Sequence, residues 1–242
     1  MNIIIGNFGN HSLASMQCLI EKGLTSLHFI YVETGWAAAS WSKRVALCSN
    51  YAQSQGVGVH SIKAQASFSE MVIDRKQFPS SKFQWCASFL KGLAILSYLD
   101  EIDPACEARI VSGKRRQDSR RNANLEEFEC SEDLYQSRMF WHPLWQTADD
   151  EFALLIERAG FKPLMHQSLE CSPCIHTRGE DLNRMDTHSL SRLDALEKEV
   201  GQTMFHQPIK HLCNPLNASK EQPSLNLRQF DLGCGAAWGC GE

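Results

Sequence analysis

At 242 residues, with a formal net charge of −4 and ten cysteines, the chain is long enough to bury one α/β domain with an appendage and carries no global basic field for holding nucleic acid. No apolar run approaches the roughly eighteen residues a membrane span needs. Met1 to Gly6 reads as a buried strand rather than a signal peptide, so the expected compartment is cytoplasmic, with thiols that are structural, catalytic or metal-bound rather than disulfide-paired.

Asn2 to Ile5 is a short apolar run expected to form the first strand. Helical spacing follows from Ser12 to Lys22, with Leu13, Met16, Leu19 and Ile20 on one face and Gly23 as the cap. Leu27 to Val32 is the second strand, ending at Glu33-Thr34-Gly35. Ala37 to Gln55 reads as a helix closed by Gly56, and Val57 to Ile62 as the third strand. Phe89 to Leu99 is a strongly apolar helix stopped by Asp103-Pro104, and Ala108 to Val111 is the fourth strand. After His142-Pro143-Leu144, Thr147 to Ala159 is predicted as a helix with Thr147 at the N-cap, three acids in its first turn and Gly160 beyond its end. From about Gln167 the chain becomes rich in Cys, Pro and polar residues, with one more helix from Ser189 to Val200.

Strands alternating with helices of this length predict an α/β fold: a doubly wound, mainly parallel, Rossmann-like sheet over residues 1–166. Residues 167–242 are expected to form a Cys-rich helical C-terminal region packed on the ligand-binding edge.

Two loops at strand ends have the chemistry of an anion site. Gly6-Asn7-Phe8-Gly9-Asn10-His11-Ser12 joins the first strand to the first helix, where backbone N–H groups and the helix N-terminus can contact phosphate. The second follows the fourth strand, where Gly113 precedes a run in which five of the eight residues from Lys114 to Arg121 are Lys or Arg. Such a run is a solvated loop in most proteins, but here it lies at the end of the sheet where α/β folds bind ligands. Between the two stands Trp85-Cys86, followed five residues later by Lys91.

This arrangement resembles the sulfur-metabolism branch of the PP-loop ATP pyrophosphatases, which holds the PAPS reductases, the tRNA thiolation enzymes and the ATP-pyrophosphatase component of DNA phosphorothioation systems. Against the family's Ser-Gly-Gly-x-Asp-Ser loop, Asn7, Phe8, Gly9, Asn10, His11 and Ser12 are the equivalents. Gly9 and Ser12 match, whereas Phe8 replaces a glycine and His11 an aspartate. Glu33-Thr34-Gly35 is similar to the family's Asp-Thr-Gly at the rim of the nucleotide site. Gly113, Arg115, Asp118, Ser119 and Arg121 resemble its Gly-x-Arg-x-x-Glu-Ser pattern, with Asp118 in place of glutamate. The resemblance implies ATP and Mg²⁺ as ligands, with Lys91, Arg115 and Ser12 as catalytic groups. A guanidinium binds phosphate as a fork and an ammonium as a point charge, and both stabilise charge developing on pyrophosphate.

Cys171-Ser172-Pro173-Cys174, placed at the start of an expected helix, suits a redox dithiol, zinc or an iron–sulfur centre. A thioredoxin-type pair would follow the first strand of its own fold, and a zinc knuckle would want a second close pair. Fe–S-bearing relatives carry a similar Trp-Cys, Cys-x-Pro-Cys and terminal Gly-Cys…Cys series. That resemblance implies a [4Fe–4S] cluster on Cys86, Cys171, Cys174 and Cys234, with Cys240 or Cys213 as the other choices for the fourth ligand. Cys18 and Cys48 are expected in helix cores, and His142 as structural or substrate-facing.

The function implied is an ATP pyrophosphatase that adenylates a substrate for sulfur incorporation into nucleic acid, with DNA phosphorothioation ahead of tRNA thiolation. A PAPS or APS reductase-like enzyme and a non-catalytic nucleotide-binding scaffold are the alternatives. The expected partners are a cysteine desulfurase as sulfur donor, passing persulfide to the edge near Cys86 and Cys174, and DNA held through Arg116 and Arg120. No membrane partner is expected.

Overall fold

The computed structural model describes residues 1–130, 136–183 and 185–212. Six strands form one sheet in the order β3-β2-β1-β4-β6-β5. They are β1 (Asn2–Ile5), β2 (Leu27–Glu33), β3 (Gly58–Lys63), β4 (Arg109–Val111), β5 (Phe128–Cys130) and β6 (Met139–Trp141). Neighbouring pairs are parallel except β5 with β6, which is antiparallel. The fold is thus the expected mainly parallel, doubly wound α/β architecture.

The helices are α1 (Asn10–Glu21), α2 (Trp41–Ser54), α3 (Phe68–Arg75), α4 (Leu93–Ile102), α5 (Asp149–Arg158), α6 (Gly179–Leu182), α7 (Thr187–Val200) and α8 (Ile209–Leu212). A π-helical stretch, Cys86–Gly92, leads directly into α4. Side chains alternate across each strand, so every buried strand feeds two layers. Phe29 and Tyr31 of β2 pack with Leu13, Met16, Trp41, Phe152 and Ile156 beneath α1, α2 and α5. Ile30 and Val32 face the opposite way and pack with Ile95, Leu99, Ile110 and Phe140 beneath α4. A third cluster, with Trp36, Phe68, Trp85, Leu90, Leu193 and Leu196, ties α3 and the π-helical stretch to α6, α7 and α8. Among the described residues no helix is long and apolar enough to cross a membrane.

Several boundaries differ from expectation for local reasons. The second helix starts at Trp41 rather than Ala37, because residues 35–38 are held in a turn by Arg192 and by the Ala38 N–H bond to the Leu169 carbonyl. The α5 N-cap is Ala148, not Thr147, whose carbonyl accepts from Gln117. α3 begins with a full capping box between Ser67 and Glu70. Cys171–Cys174 lies in irregular chain, not at a helix start as expected.

Candidate functional site

β1 leads outward through β2 to β3 on one side, and β4 leads through β6 to β5 on the other, so the topological switch point lies between β1 and β4. Ligands of open α/β sheets bind at that crevice, beyond the carboxyl ends of the strands. The two anion-suited loops leave the sheet at these ends.

The first loop is built by close approach. A Cβ on Gly6 would lie 2.4 Å from Ser12 Cβ, and one on Gly113 would lie 2.8 Å from both Cβ and the carbonyl oxygen of His11. Glycine at both positions lets the loops pack against α1. Phe8 carries the left-handed backbone (φ 59°) that glycine favours. Its ring is fully buried and stacks 4.1 Å from Phe29, so its bulk enters the core rather than the phosphate position. Asn7 Oδ1 accepts from Gly9 N–H at 2.8 Å. Asn10 makes paired bonds with the Leu164 backbone, at 3.0 and 2.8 Å, which gives its side chain a structural task. Ser12 Oγ donates to the Gly9 carbonyl at 3.3 Å. α1 has no side-chain cap and no acid in its first turn, so its first N–H groups and its dipole favour an anion.

Cys86 and Lys91 come from the π-helical stretch. Its wider turn leaves residues five apart nearer one face than an α-helix would, and Cys86 and Lys91 line the same crevice. Lys91 Nζ is 2.5 Å from Glu170 Oε2, and the Asn7 amide also hydrogen-bonds Glu170. Burial pushes the Glu170 carboxyl above the usual carboxylate range, against the opposing pull of Lys91 and Asn7. The Tyr31 hydroxyl is raised as well, by burial and then by the Glu170 charge. Glu170 therefore joins the first loop to Lys91. It was absent from the residues expected at the site, because nothing in its local sequence distinguishes it.

The second loop makes a separate cluster. Arg115, expected to fork a phosphate, is only 2 % exposed. Its Nε and Nη2 donate to Asp118 Oδ1 at 2.9 and 2.8 Å, and Nη1 reaches Asp149 Oδ1 at 3.0 Å. Phe152 lies beneath its guanidinium at 4.1 Å. The structure thus gives Arg115 a bracing position between the turn and α5. His11 Nε2 faces Asp118 Oδ2 at 3.3 Å. Ser119 Oγ accepts from Asn122 N–H at the start of the 3₁₀ turn Arg121–Asn124, whose N-cap is Arg120; the Arg121 side chain lies outside the described residues. Arg116, expected to hold a nucleic-acid backbone, donates to the Leu125 carbonyl and stacks on Trp145, while Arg120 is exposed.

At the end of β2, Glu33 accepts from Ser61 at 2.9 Å and points to the exposed rim. The Thr34 carbonyl accepts from Phe68 N–H. Next in the chain, the Trp36 indole donates to the Pro173 carbonyl at 2.9 Å. Arg192 of α7 stacks 4.0 Å over Trp36 and donates to the carbonyls of Gly35, Trp36, Ala37 and Ser172. It fastens the β2 turn to the Cys171–Cys174 segment and is the other residue that sequence reasoning missed.

Cys86, Cys171 and Cys174 line one crevice beside Lys91. Its free volume is about 10 Å³, roughly the space of a single water. Among the described residues no group of three or more His, Cys, Asp or Glu side chains is placed to hold a metal ion. The described geometry therefore does not support the expected cluster: the three thiols share the wall of a narrow crevice with Trp36, Phe68 and Pro173, without forming a metal-holding group. Cys234, Cys240 and Cys213 lie outside the described residues. Cys48 is buried in α2, its thiol pushed up to about 11 by burial. His142, fully buried, contacts Glu129 at 3.1 Å, a structural placement.

The family model described as the phosphoadenosine phosphosulfate reductase domain matches residues 2–178. Among solved structures, the chain is similar to the phosphoadenylyl-sulfate (PAPS) reductase of Candida auris in its phosphate complex, with 14% identity and a TM-score of 0.47 over 67% of this chain and 75% of that one. No curated protein sequence matches.

Proposed function

The chain belongs to the phosphoadenosine phosphosulfate reductase domain family, whose members are nucleotide-using enzymes, and on that premise we propose that it is an ATP pyrophosphatase serving sulfur transfer. The observation that carries this reading is a convergence at one strand edge. A helix N-terminus suited to anions, the Lys91 ammonium and the thiols of Cys86, Cys171 and Cys174 are joined there through Glu170 and Asn7.

In this reading the ATP phosphates lie on the N–H groups of residues 7–12. An oxygen of the substrate attacks the α-phosphorus, the bond to the β-phosphate bridge breaks, and pyrophosphate leaves with its charge opposed by Lys91. Mg²⁺ arriving with the nucleotide supplies further charge neutralisation. A sulfur nucleophile then displaces AMP from the adenylated substrate. The target we favour is a nucleic acid, DNA ahead of tRNA, with exposed Arg120 as the backbone contact. A cysteine desulfurase would bring the sulfur to the thiol edge. No step is assigned to an iron–sulfur cluster.

The family description favours a second reading, reduction of PAPS by a thiol, because the same anion-suited loop and neighbouring thiols would serve a phosphosulfate. Purified protein incubated with ATP and Mg²⁺, and separately with PAPS and a thiol donor, tests both. Pyrophosphate release that Lys91→Ala abolishes supports the first reading, and sulfite release supports the second. Neither product, with no nucleotide bound, overturns both.

A further inference from the structure

Residues 164–174 run across the C-terminal edge of the sheet and touch each loop that leaves β1 and β2. Leu164 is bonded to Asn10, and a Cβ on Gly9 would sit 3.5 Å from Ser168 Cβ. The Leu169 carbonyl accepts from Ala38, Glu170 meets Lys91 and Asn7, and Ser172 N–H donates to Trp36. The strap is pinned at one end by Asn10 and at the other by Trp36 and Arg192. Glu170, at its middle, is a carboxylate only 2 % exposed. A buried carboxylate is tolerated because it is paired and hydrogen-bonded, and these partners belong to the loop and helix assigned above to the phosphates.

We propose that Glu170 is an internal anion that holds Lys91 until a phosphate-bearing ligand takes its place, so that ligand entry and displacement of the strap are one event. This rests on the nucleotide reading of the site. An ammonium that neutralises Glu170 cannot equally neutralise a phosphate beside it, and two anions on one buried cation repel. In this proposal ligand binding moves the carboxylate, and Cys171, the next residue, moves with it. A Glu170 that instead takes up a proton in place, which its burial favours, leaves Cys171 where it is and its labelling indifferent to ligand. The strap has room to do so: a cavity of about 260 Å³ backs it, lined by Met165, Leu169, Cys171, Ser172 and Met185. Closely packed segments lack that freedom. Glu170 is in this sense a positioning residue, coupling occupancy of the anion site to the accessibility of the half-buried Cys171 thiol.

The test uses the full chain with inorganic pyrophosphate and ATP as probes, and maleimide labelling of Cys171 read by peptide mass spectrometry. Wild-type protein should label faster at Cys171 when pyrophosphate is present. Glu170→Gln, which keeps the shape and loses the charge, should bind pyrophosphate about tenfold more tightly and label at the faster rate without ligand. Glu170→Asp, which keeps the charge, should restore ligand-dependent labelling. Wild-type binding that Glu170→Gln leaves unchanged or weakens, or labelling indifferent to ligand, overturns the latch and leaves the nucleotide reading standing. If neither wild type nor Glu170→Gln binds either probe, the nucleotide reading falls and the latch with it. Should Glu170→Gln fail to fold, the ligand response of wild-type labelling decides alone.

Discussion

His11 Nε2 lies 3.3 Å from Asp118 Oδ2, so the first turn of α1 and the turn after β4 meet across the switch point of the sheet. The same carboxylate receives the Arg115 fork. Burial pushes the Asp118 carboxyl up, but the His11 hydrogen bond and the charges of His11 and Arg115 outweigh it, and the net shift is downward. A carboxylate depressed in the folded state contributes stability above its unfolded value, about 3.9, and loses it as pH falls through the folded value. Thermal unfolding should therefore steepen in its pH dependence below about pH 4. Asp118→Asn should be less stable at pH 7 and show a flatter acid limb in melts taken from pH 2 to 7. Parallel acid limbs in the two proteins would remove Asp118 from this account.

Lys91 and Arg115 should respond differently to removal. Arg115 braces two acids and an aromatic ring and is 2 % exposed, so Arg115→Ala strands a buried carboxylate. Breaking such a pair costs about 3–5 kcal/mol, and lysine lacks the fork needed to restore it. Lys91→Ala should also lose stability, because it leaves the buried Glu170 carboxylate without its ammonium. Unlike Arg115→Ala, it should in addition weaken nucleotide binding about ten- to hundredfold, the loss of one charge-assisted contact. Urea unfolding and nucleotide titration of both variants separate the two roles. The assignment fails if Arg115→Ala is stable and Lys91→Ala binds normally.

The buried strands are readable because parallel strands covered on both faces are continuous apolar runs. Asn2–Ile5, Leu27–Val32 and Ala108–Val111 each lie within a residue of the strand observed. β5 and β6, with three residues apiece, are too short to show a period. The Ser67-x-x-Glu70 capping box is a local signal for α3 that apolar periodicity passes over. At the site, Lys91 and the first loop stand out because their residue types occur at strand and helix ends. Glu170 and Arg192 do not. Glu170 meets Lys91 from 79 residues away, and Arg192 meets Trp36 from 156, and no local pattern encodes such pairings. Arg115 shows the converse: its motif, Asp118 included, is visible, while Asp149 and Phe152, which complete its surroundings, come from the fold.

Phe8 should be a stability residue despite its place in the phosphate loop. Its ring is fully buried against Phe29 and Tyr31, and Phe→Ala in a core typically costs about 3–5 kcal/mol. Phe8→Gly relieves the left-handed backbone but loses the same ring, so it too should unfold at lower denaturant. Chemical denaturation of both variants checks this, and a change under about 1 kcal/mol would mean the loop can collapse into the space.

Arg192 donates to four carbonyls, two from Nη2 at 3.0 Å or less, and stacks on Trp36. Hydrogen bonds from a charged donor contribute about 1.5–3 kcal/mol each, and a set sharing one side chain is not additive. Arg192→Ala should therefore cost about 3 kcal/mol in urea unfolding. Its effect should concentrate where the arginine fastens the Gly35–Ala37 turn to Ser172. Amide exchange at Ser172, whose N–H is bonded to Trp36 at 2.8 Å, should speed up in the variant, while exchange at Ile30 in the buried β2 strand should hold its wild-type rate relative to global stability. Arg192→Lys should recover little of either effect, because an ammonium cannot span carbonyls on two segments while stacking on the indole. Uniformly faster exchange across the sheet would show that Arg192 acts on the whole fold and not on the thiol-bearing segment.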